Sequence, residues 1–235
     1  MKTDPDLCAA CGQCIPYCPV SAIKEDGGAV AIDQDQCVEC GVCKRSGVCP
    51  MDALVEPHLR WPRILRSLFS NPITVHPGTG VAGRGTEELK TNDVTDRFIV
   101  GEVGFGVEMG RPNMGTTFAD LEKVAKKLAP LGAKFEPKNP VTMLMKDPCT
   151  GEIQDDVRHE RVLTAILEFT VEEEKALDIL KVLEDVSKDI ETVFSLDLIH
   201  RSQGDKEPAS LKAIRERGYC LSPNGKVCIG IGRAR

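Results

Sequence analysis

The chain has 235 residues, enough for two small domains with separate cores. Aromatic residues make up only 4 %, so the cores must be aliphatic, and the net charge of −6 argues against nucleic acid as the main partner. No apolar run approaches the ~18 residues that span a membrane. The charge is uneven: residues 1–57 carry four basic and nine acidic side chains, and residues 201–235 carry eight basic and three acidic ones. That distribution suits an acidic amino-terminal unit followed, much later, by a basic tail.

Of eleven cysteines, eight lie between Cys8 and Cys49. They form two runs, Cys8-x2-Cys11-x2-Cys14-x3-Cys18-Pro19 and Cys37-x2-Cys40-x2-Cys43-x5-Cys49-Pro50. No apolar segment precedes Cys8, so a cytoplasmic chain is expected, in which clustered thiols stay reduced and bind metal. Cysteines at every third position of a tight loop can wrap three corners of an iron–sulfur cube; the fourth thiolate must come from elsewhere. In the two-cluster pattern each fourth cysteine serves the other cluster. Two [4Fe–4S] clusters are therefore expected, one on Cys8, Cys11, Cys14 and Cys49, the other on Cys18, Cys37, Cys40 and Cys43. Pro19 and Pro50 turn the chain beside the sulfurs, and Gly12 and Gly41 let the backbone bend closely around each site. Zinc commonly takes two Cys-x2-Cys pairs, and two triplets ending in Cys-Pro fit it poorly.

These residues resemble the bacterial-type dicluster ferredoxins over about 57 positions. The resemblance extends to Ala22-Ile23 and Asp52-Ala53-Leu54 after the two Cys-Pro pairs, and to a short strand at Ala29–Ile32. It implies a pseudo-twofold unit with both clusters buried and close together, moving single electrons in an anaerobic or oxygen-shielded setting. The second run departs from the family pattern: Lys44–Val48 places five residues before Cys49, where three are usual.

Residues 58–97 read as a glycine-rich linker or arm. Trp61-Pro62 opens a short helix whose Ile64, Leu65, Leu68 and Phe69 share one face, flanked by Arg60, Arg63 and Arg66. It either packs on one domain or anchors a partner subunit. Gly78, Gly80, Gly83 and Gly85 form a G-x-G-x-x-G-x-G pattern, but no βαβ unit follows, so a dinucleotide site is disfavoured.

Residues 98–201 predict a second domain. Phe98–Met109 alternates as a strand, with Ile99, Val103, Phe105, Val107 and Met109 on one face. Thr117 and Asp120 cap a helix carrying Phe118, Leu121, Val124, Leu128 and Leu131. Val141–Met145 reads as a strand, Asp147–Gly151 as a turn and Arg161–Phe169 as another strand. Thr170-x-x-Glu173 reads as a capping box for a helix buried through Ala176, Ile179, Leu183 and Val186, and Ile190–Ile199 as a last strand. The order β-α-β-β-α-β is that of the split βαβ, or ferredoxin-like, antiparallel sandwich, so the fold class is α+β. Its element order is reminiscent of ACT-type sensing domains.

No catalytic set stands out among Glu102, Glu108, Asp155, Asp156, His159 and His200, and Arg111 reads as a loop salt-bridge partner. In residues 202–235, Leu211–Arg217 predicts a helix and Tyr219–Ile231 a hairpin turning at Asn224-Gly225. Cys149, Cys220 and Cys228 read as small buried apolar residues. The leading expectation is an electron-carrying subunit of a larger oxidoreductase, partnered by a catalytic subunit or redox protein, with self-association through the second domain. A redox-linked metabolite sensor with an ACT-like domain, and an enzyme with its site at the glycine arm, are the alternatives.

Overall fold

In the computed structural model, residues 1–80, 82, 98–111, 114–201 and 207–221 are described. The amino-terminal unit holds four short strands. β1 (Lys2–Thr3) pairs antiparallel with β4 (Leu54–Val55), so the unit's first and last strands lie together; β2 (Ile23–Asp26) and β3 (Ala29–Ile32) form a hairpin. Its core is Met1, Ala22, Ile23, Val30 and Leu54, packed with Cys14, Cys37 and Cys43. The two halves repeat at the level of backbone angles. Ala10 and Glu39, Gly12 and Gly41, and Ser21 and Asp52 all have positive φ at matching places in the two cysteine runs. The two extra residues of the second run are absorbed by a single helical turn, α1 (Val42–Arg45), then Gly47 at φ 65°.

The helix predicted after Trp61-Pro62 is present as α2 (Ile64–Ser70). It packs against both units. Leu65, Leu68 and Phe69 enter the core of the second unit, and Ser70 Oγ accepts from the Leu163 amide at 2.8 Å. On its other side, Arg66 Nη1 donates to the carbonyls of Gln34, Asp35 and Cys37 at 2.9, 3.1 and 2.8 Å. The Arg66 Nε meanwhile meets the Glu160 carboxylate of the second unit. Arg63 reaches Glu39 and Gln34, Glu39 also takes the amino-terminal ammonium of Met1, and Trp61 Nε1 donates to Asp156.

The second unit is built on a four-stranded antiparallel sheet. The strands β5 (Glu102–Met109), β7 (Lys134–Phe135), β11 (Ala165–Glu172) and β12 (Phe194–His200) lie in the order β12-β5-β11-β7. Between them come β6 (Thr116–Thr117), α3 (Phe118–Leu128), β8 (Met145–Asp147), β9 (Glu152–Ile153), β10 (Arg161–Val162) and α4 (Ala176–Val186), with α5 (Ala209–Glu216) last. Val103, Phe105, Val107 and Met109 of β5 are fully enclosed, as are Phe118, Leu121, Val124 and Leu128 of α3. The stripe Ala176, Ile179, Leu183 and Val186 of α4 faces the same core, and α3 and α4 pack against each other. Thr117 caps α3 as expected, its Oγ1 accepting from the Asp120 amide at 3.1 Å.

Several local expectations are corrected. Ile99 precedes β5 and is exposed. Val141–Met145 is not a sheet strand: Asn139 Oδ1 accepts from the Val141 amide, starting a 3-10 turn over Thr142–Leu144, and Met145 then opens the β8–β9 hairpin. A short apolar run suits either conformation, and this local hydrogen bond decides between them. The sheet position falls instead to Lys134–Phe135. Thr170 caps nothing, because its backbone is committed to the ladder opposite Gly104 and Lys134. Glu173 is used elsewhere, taking the Ser210 amide at the start of α5. Arg161–Phe169 divides into β10, paired with β6, and β11. The hairpin expected beyond Tyr219, Gly83 and Gly85 of the arm, and Cys228 lie outside the described residues.

Three substitutions test this packing. Leu121→Ala is expected to cost about 2–5 kcal/mol, the range for emptying a fully enclosed leucine site, read as a lowered urea midpoint. Arg66→Ala is expected to cost about 3–5 kcal/mol, because it removes the cation from the largely covered Glu160 carboxylate and the donor from three carbonyls. Arg66→Lys should recover only part of that loss, since an ammonium cannot span the carboxylate and three carbonyls.

Candidate metal centre

The eight cysteines of the two runs gather around two separate hollows. One, with ≈ 330 Å³ of empty space, is lined by Cys8, Cys11, Cys14 and Cys49, together with Thr3, Gly12, Met51 and Leu54. The other, with ≈ 310 Å³, is lined by Cys18, Cys37, Cys40 and Cys43, with Met1, Val20, Ala22 and Ile32. Each hollow thus takes three sulfurs from one run and the fourth from the other. The long second run still delivers Cys49 to the first hollow, because the helical turn of α1 takes up the extra length.

Local backbone geometry sets these positions. Left-handed residues at Ala10 and Gly12, and at Glu39 and Gly41, curl each loop so that successive side chains turn inward. After each Cys-Pro the chain doubles back. The Ala22 amide then donates to Cys18 Sγ at 3.1 Å, and the Ala53 amide to Cys49 Sγ at 3.3 Å. Donors aimed at sulfur favour the thiolate form, which is the form that binds iron.

The thiols feel one another in the same two groups. Burial raises the pKa of Cys14 above the usual thiol range, and the nearby Cys49, Cys11 and Cys8 raise it further, against a lowering backbone hydrogen bond. Burial likewise raises Cys40, with Cys18 and Cys37 adding to it and Arg45 opposing. Cys43 is pushed up to about 11, first by burial and then by Cys40, Cys37 and Cys18. Four soft donors around one hollow suit a cation that neutralises their charge, and the all-sulfur set matches iron–sulfur chemistry.

The environments of the hollows differ. In the second hollow Cys37, Cys40 and Cys43 are buried and Cys18 half-buried, whereas in the first only Cys14 is buried, Cys8 and Cys49 are half-buried and Cys11 is exposed. Arg66 and Arg45 hold the carbonyls of Cys37 and Cys40. On the Cys18 side, a Cβ placed on Gly115 of the second unit would lie 3.5 Å from Val20 Cγ1.

The other polar candidates do not converge. Glu102 pairs with Lys134, Asp155 with Lys146 and Arg158, and Asp156 with Trp61. Arg111 pairs with buried Glu108, as a loop salt bridge. His58 and His159 are exposed, and buried His76 packs edge-on against Phe69 while accepting from the Gly78 amide. Cys149 and Cys220 are exposed rather than buried, Cys149 because it sits in the Asp147–Gly151 turn. Sequence reasoning missed one cluster: Ser210 Oγ donates to Glu173 Oε1 at 2.7 Å and lies 3.4 Å from His200 Nδ1. With the Ser210 amide also on Glu173, this group ties α5 to the end of β11, and the Ser210 hydroxyl is committed to the carboxylate. Among the described residues no helix is long and apolar enough to cross a membrane.

Comparison with known proteins supports an iron–sulfur amino-terminal unit. Residues 1–24 match the 4Fe-4S binding domain family. A ferredoxin-like protein in the vnf region of Azotobacter chroococcum is 42 % identical over 60 residues, which cover 24 % of this chain and 92 % of that protein. Ferredoxin-1 of Rhodobacter capsulatus is 50 % identical over 40 residues, covering 17 % of this chain and 62 % of that protein. Ferredoxin-2 of Chlorobaculum tepidum is 37 % identical over 57 residues, covering 22 % of this chain and 89 % of that protein. Through its amino-terminal unit, the chain belongs to the 4Fe–4S ferredoxins.

Proposed function

We propose that the chain carries electrons through two [4Fe–4S] clusters. Cys8, Cys11, Cys14 and Cys49 would hold one, and Cys18, Cys37, Cys40 and Cys43 the other. The observation that carries this reading is the sorting of eight thiols into two four-sulfur hollows, each completed by a cysteine from the opposite run. Each bound cluster supplies a site for reversible one-electron transfer. The protein's residues supply everything else: thiolates, amide donors from Ala22 and Ala53, and an apolar wall of Val30, Leu54 and Ile23 on the buried side of the hollows.

The division into residues 1–57, a linker at 58–97, a domain at 98–201 and a tail at 202–235 is part of the same proposal. So is the second domain as a split βαβ sandwich, supported by the antiparallel strand order β12-β5-β11-β7 and by the mutual packing of α3 and α4. A second domain of this size, joined to an electron carrier through α2, suits an electron-carrying subunit of a larger oxidoreductase. Its partner would be a catalytic subunit or redox protein.

Two measurements test the proposal. Protein purified without oxygen should contain about eight irons per chain, and on reduction its paramagnetic resonance should show two interacting centres. Zinc, or about four irons, would overturn the two-cluster reading. Stripping the metal with a chelator and a mild oxidant should open the amino-terminal unit, because its cysteines are part of its core. Hydrogen exchange should then rise across residues 2–55 while α3 and β11 stay protected. Continued protection of β2 and β3 without metal would contradict it.

A further inference from the structure

The two hollows are related by the internal repeat, so each is the other's control. Matching positions differ sharply in cover. Ala9 of the first loop is exposed and Ala10 half-buried, whereas their counterparts Val38 and Glu39 are buried, and exposed Gln13 matches half-buried Val42. Val38 and Glu39 are covered because Glu39 is locked between Arg63 and the Met1 ammonium, while Arg66 holds the carbonyl of Cys37. On the far side, Val20 lies against Gly115 of the second unit. The first hollow has no such cover among the described residues, and Cys11 reaches solvent.

The surface around the first hollow has a defined character. Met51, which lines it, and Leu7, which precedes Cys8, are 48 % and 45 % exposed. Carboxylates ring them. The Asp4 amide donates to the Ala53 carbonyl, and its side chain takes the Asp6 amide. Asp52 follows Met51, and Glu25 Oε1 lies 3.2 Å from where a Gly12 Cβ would be. An apolar centre with an acidic rim, set over a partly exposed sulfur site, is the form of a docking surface for a basic protein.

We propose that a redox protein with a basic rim docks over Cys11, Met51 and Leu7, and that this face is the port for electron exchange, the Cys37–Cys43 loop of the second hollow being covered by the linker helix and Val20 by the second domain. The inference rests on the two-cluster reading above. The carboxylates steer encounter and the exposed apolar side chains make the short-range contact. Tunnelling falls steeply with distance, so the site with least cover exchanges fastest.

Cytochrome c, a basic one-electron acceptor, serves as the probe. The intact chain is mixed with it at low salt, and neighbouring carboxylates and amines are joined with a water-soluble carbodiimide. Mapping by mass spectrometry should place the links at Asp4, Asp6, Glu25 and Asp52, and not at Asp33 or Asp35 beside the second hollow. In stopped flow, the dithionite-reduced chain should reduce cytochrome c at a rate that falls with salt. A D6K/D52K double variant should slow it about tenfold at low salt, and Asp35→Lys should leave it unchanged. Links concentrated at Asp33 and Asp35, or equal slowing by Asp35→Lys, would overturn the port. Iron content and resonance spectra of the same samples separate that outcome from failure of the clusters themselves: a chain with full iron and the wrong links sinks only this inference.

Discussion

One guanidinium joins the two halves of this molecule. Arg66 sits on the short helix α2 with its side chain almost wholly buried. It holds three carbonyls of the loop that carries Cys37 and one carboxylate from the second unit. A buried cation in such a place must be matched on every side, and an arginine fork can face a carboxylate and a set of carbonyls at once. Arg66 therefore contributes to the relative position of sulfur site and sheet domain through several simultaneous partners, alongside the Arg63–Glu39, Ser70–Leu163 and Trp61–Asp156 contacts. Leu65, Leu68 and Phe69 of the same helix fix it to the larger core.

That arrangement breaks a symmetry that the sequence repeat would otherwise impose. Two similar loops, with the same left-handed turns at Ala10 and Glu39 and at Gly12 and Gly41, enclose two similar four-sulfur hollows. Among the described residues, one has Cys11 exposed beside acidic side chains. The loop of the other is covered by Arg63, Arg66 and Met1, and its Val20 by the edge of the second unit. Cover by low-dielectric protein and nearby charge are the levers by which a fold tunes a cluster, and here they act unequally on otherwise equivalent sites.

The amino-terminal unit and the second unit also owe their stability to different things. The second has a continuous apolar core in which Val103, Phe105, Leu121 and Ile179 are fully enclosed and to which α2 adds Leu65, Leu68 and Phe69. The first has a handful of apolar side chains and uses its own cysteines as core residues. In so small a unit the metal sites and the hydrophobic core are the same atoms.

Sequence alone determined the chemistry. Cys-x2-Cys-x2-Cys spacing, the two Cys-Pro ends and the glycines are local constraints, because a cluster imposes its geometry on residues three apart. Periodicity likewise identified β5, α3, α4 and the Thr117 cap, since each is written within a single stretch of chain. What tertiary structure decided was everything set by partners distant in sequence. Lys134–Phe135, rather than the more apolar Val141–Met145, joins the sheet, because edge pairing with Phe169 and Thr170 is a long-range hydrogen-bonding choice. Glu173 anchors α5 rather than capping α4, because Ser210 arrives from 37 residues away. The unequal cover of the two hollows depends on Arg63 and Arg66 meeting Glu39, Cys37 and Glu160, which no local pattern encodes.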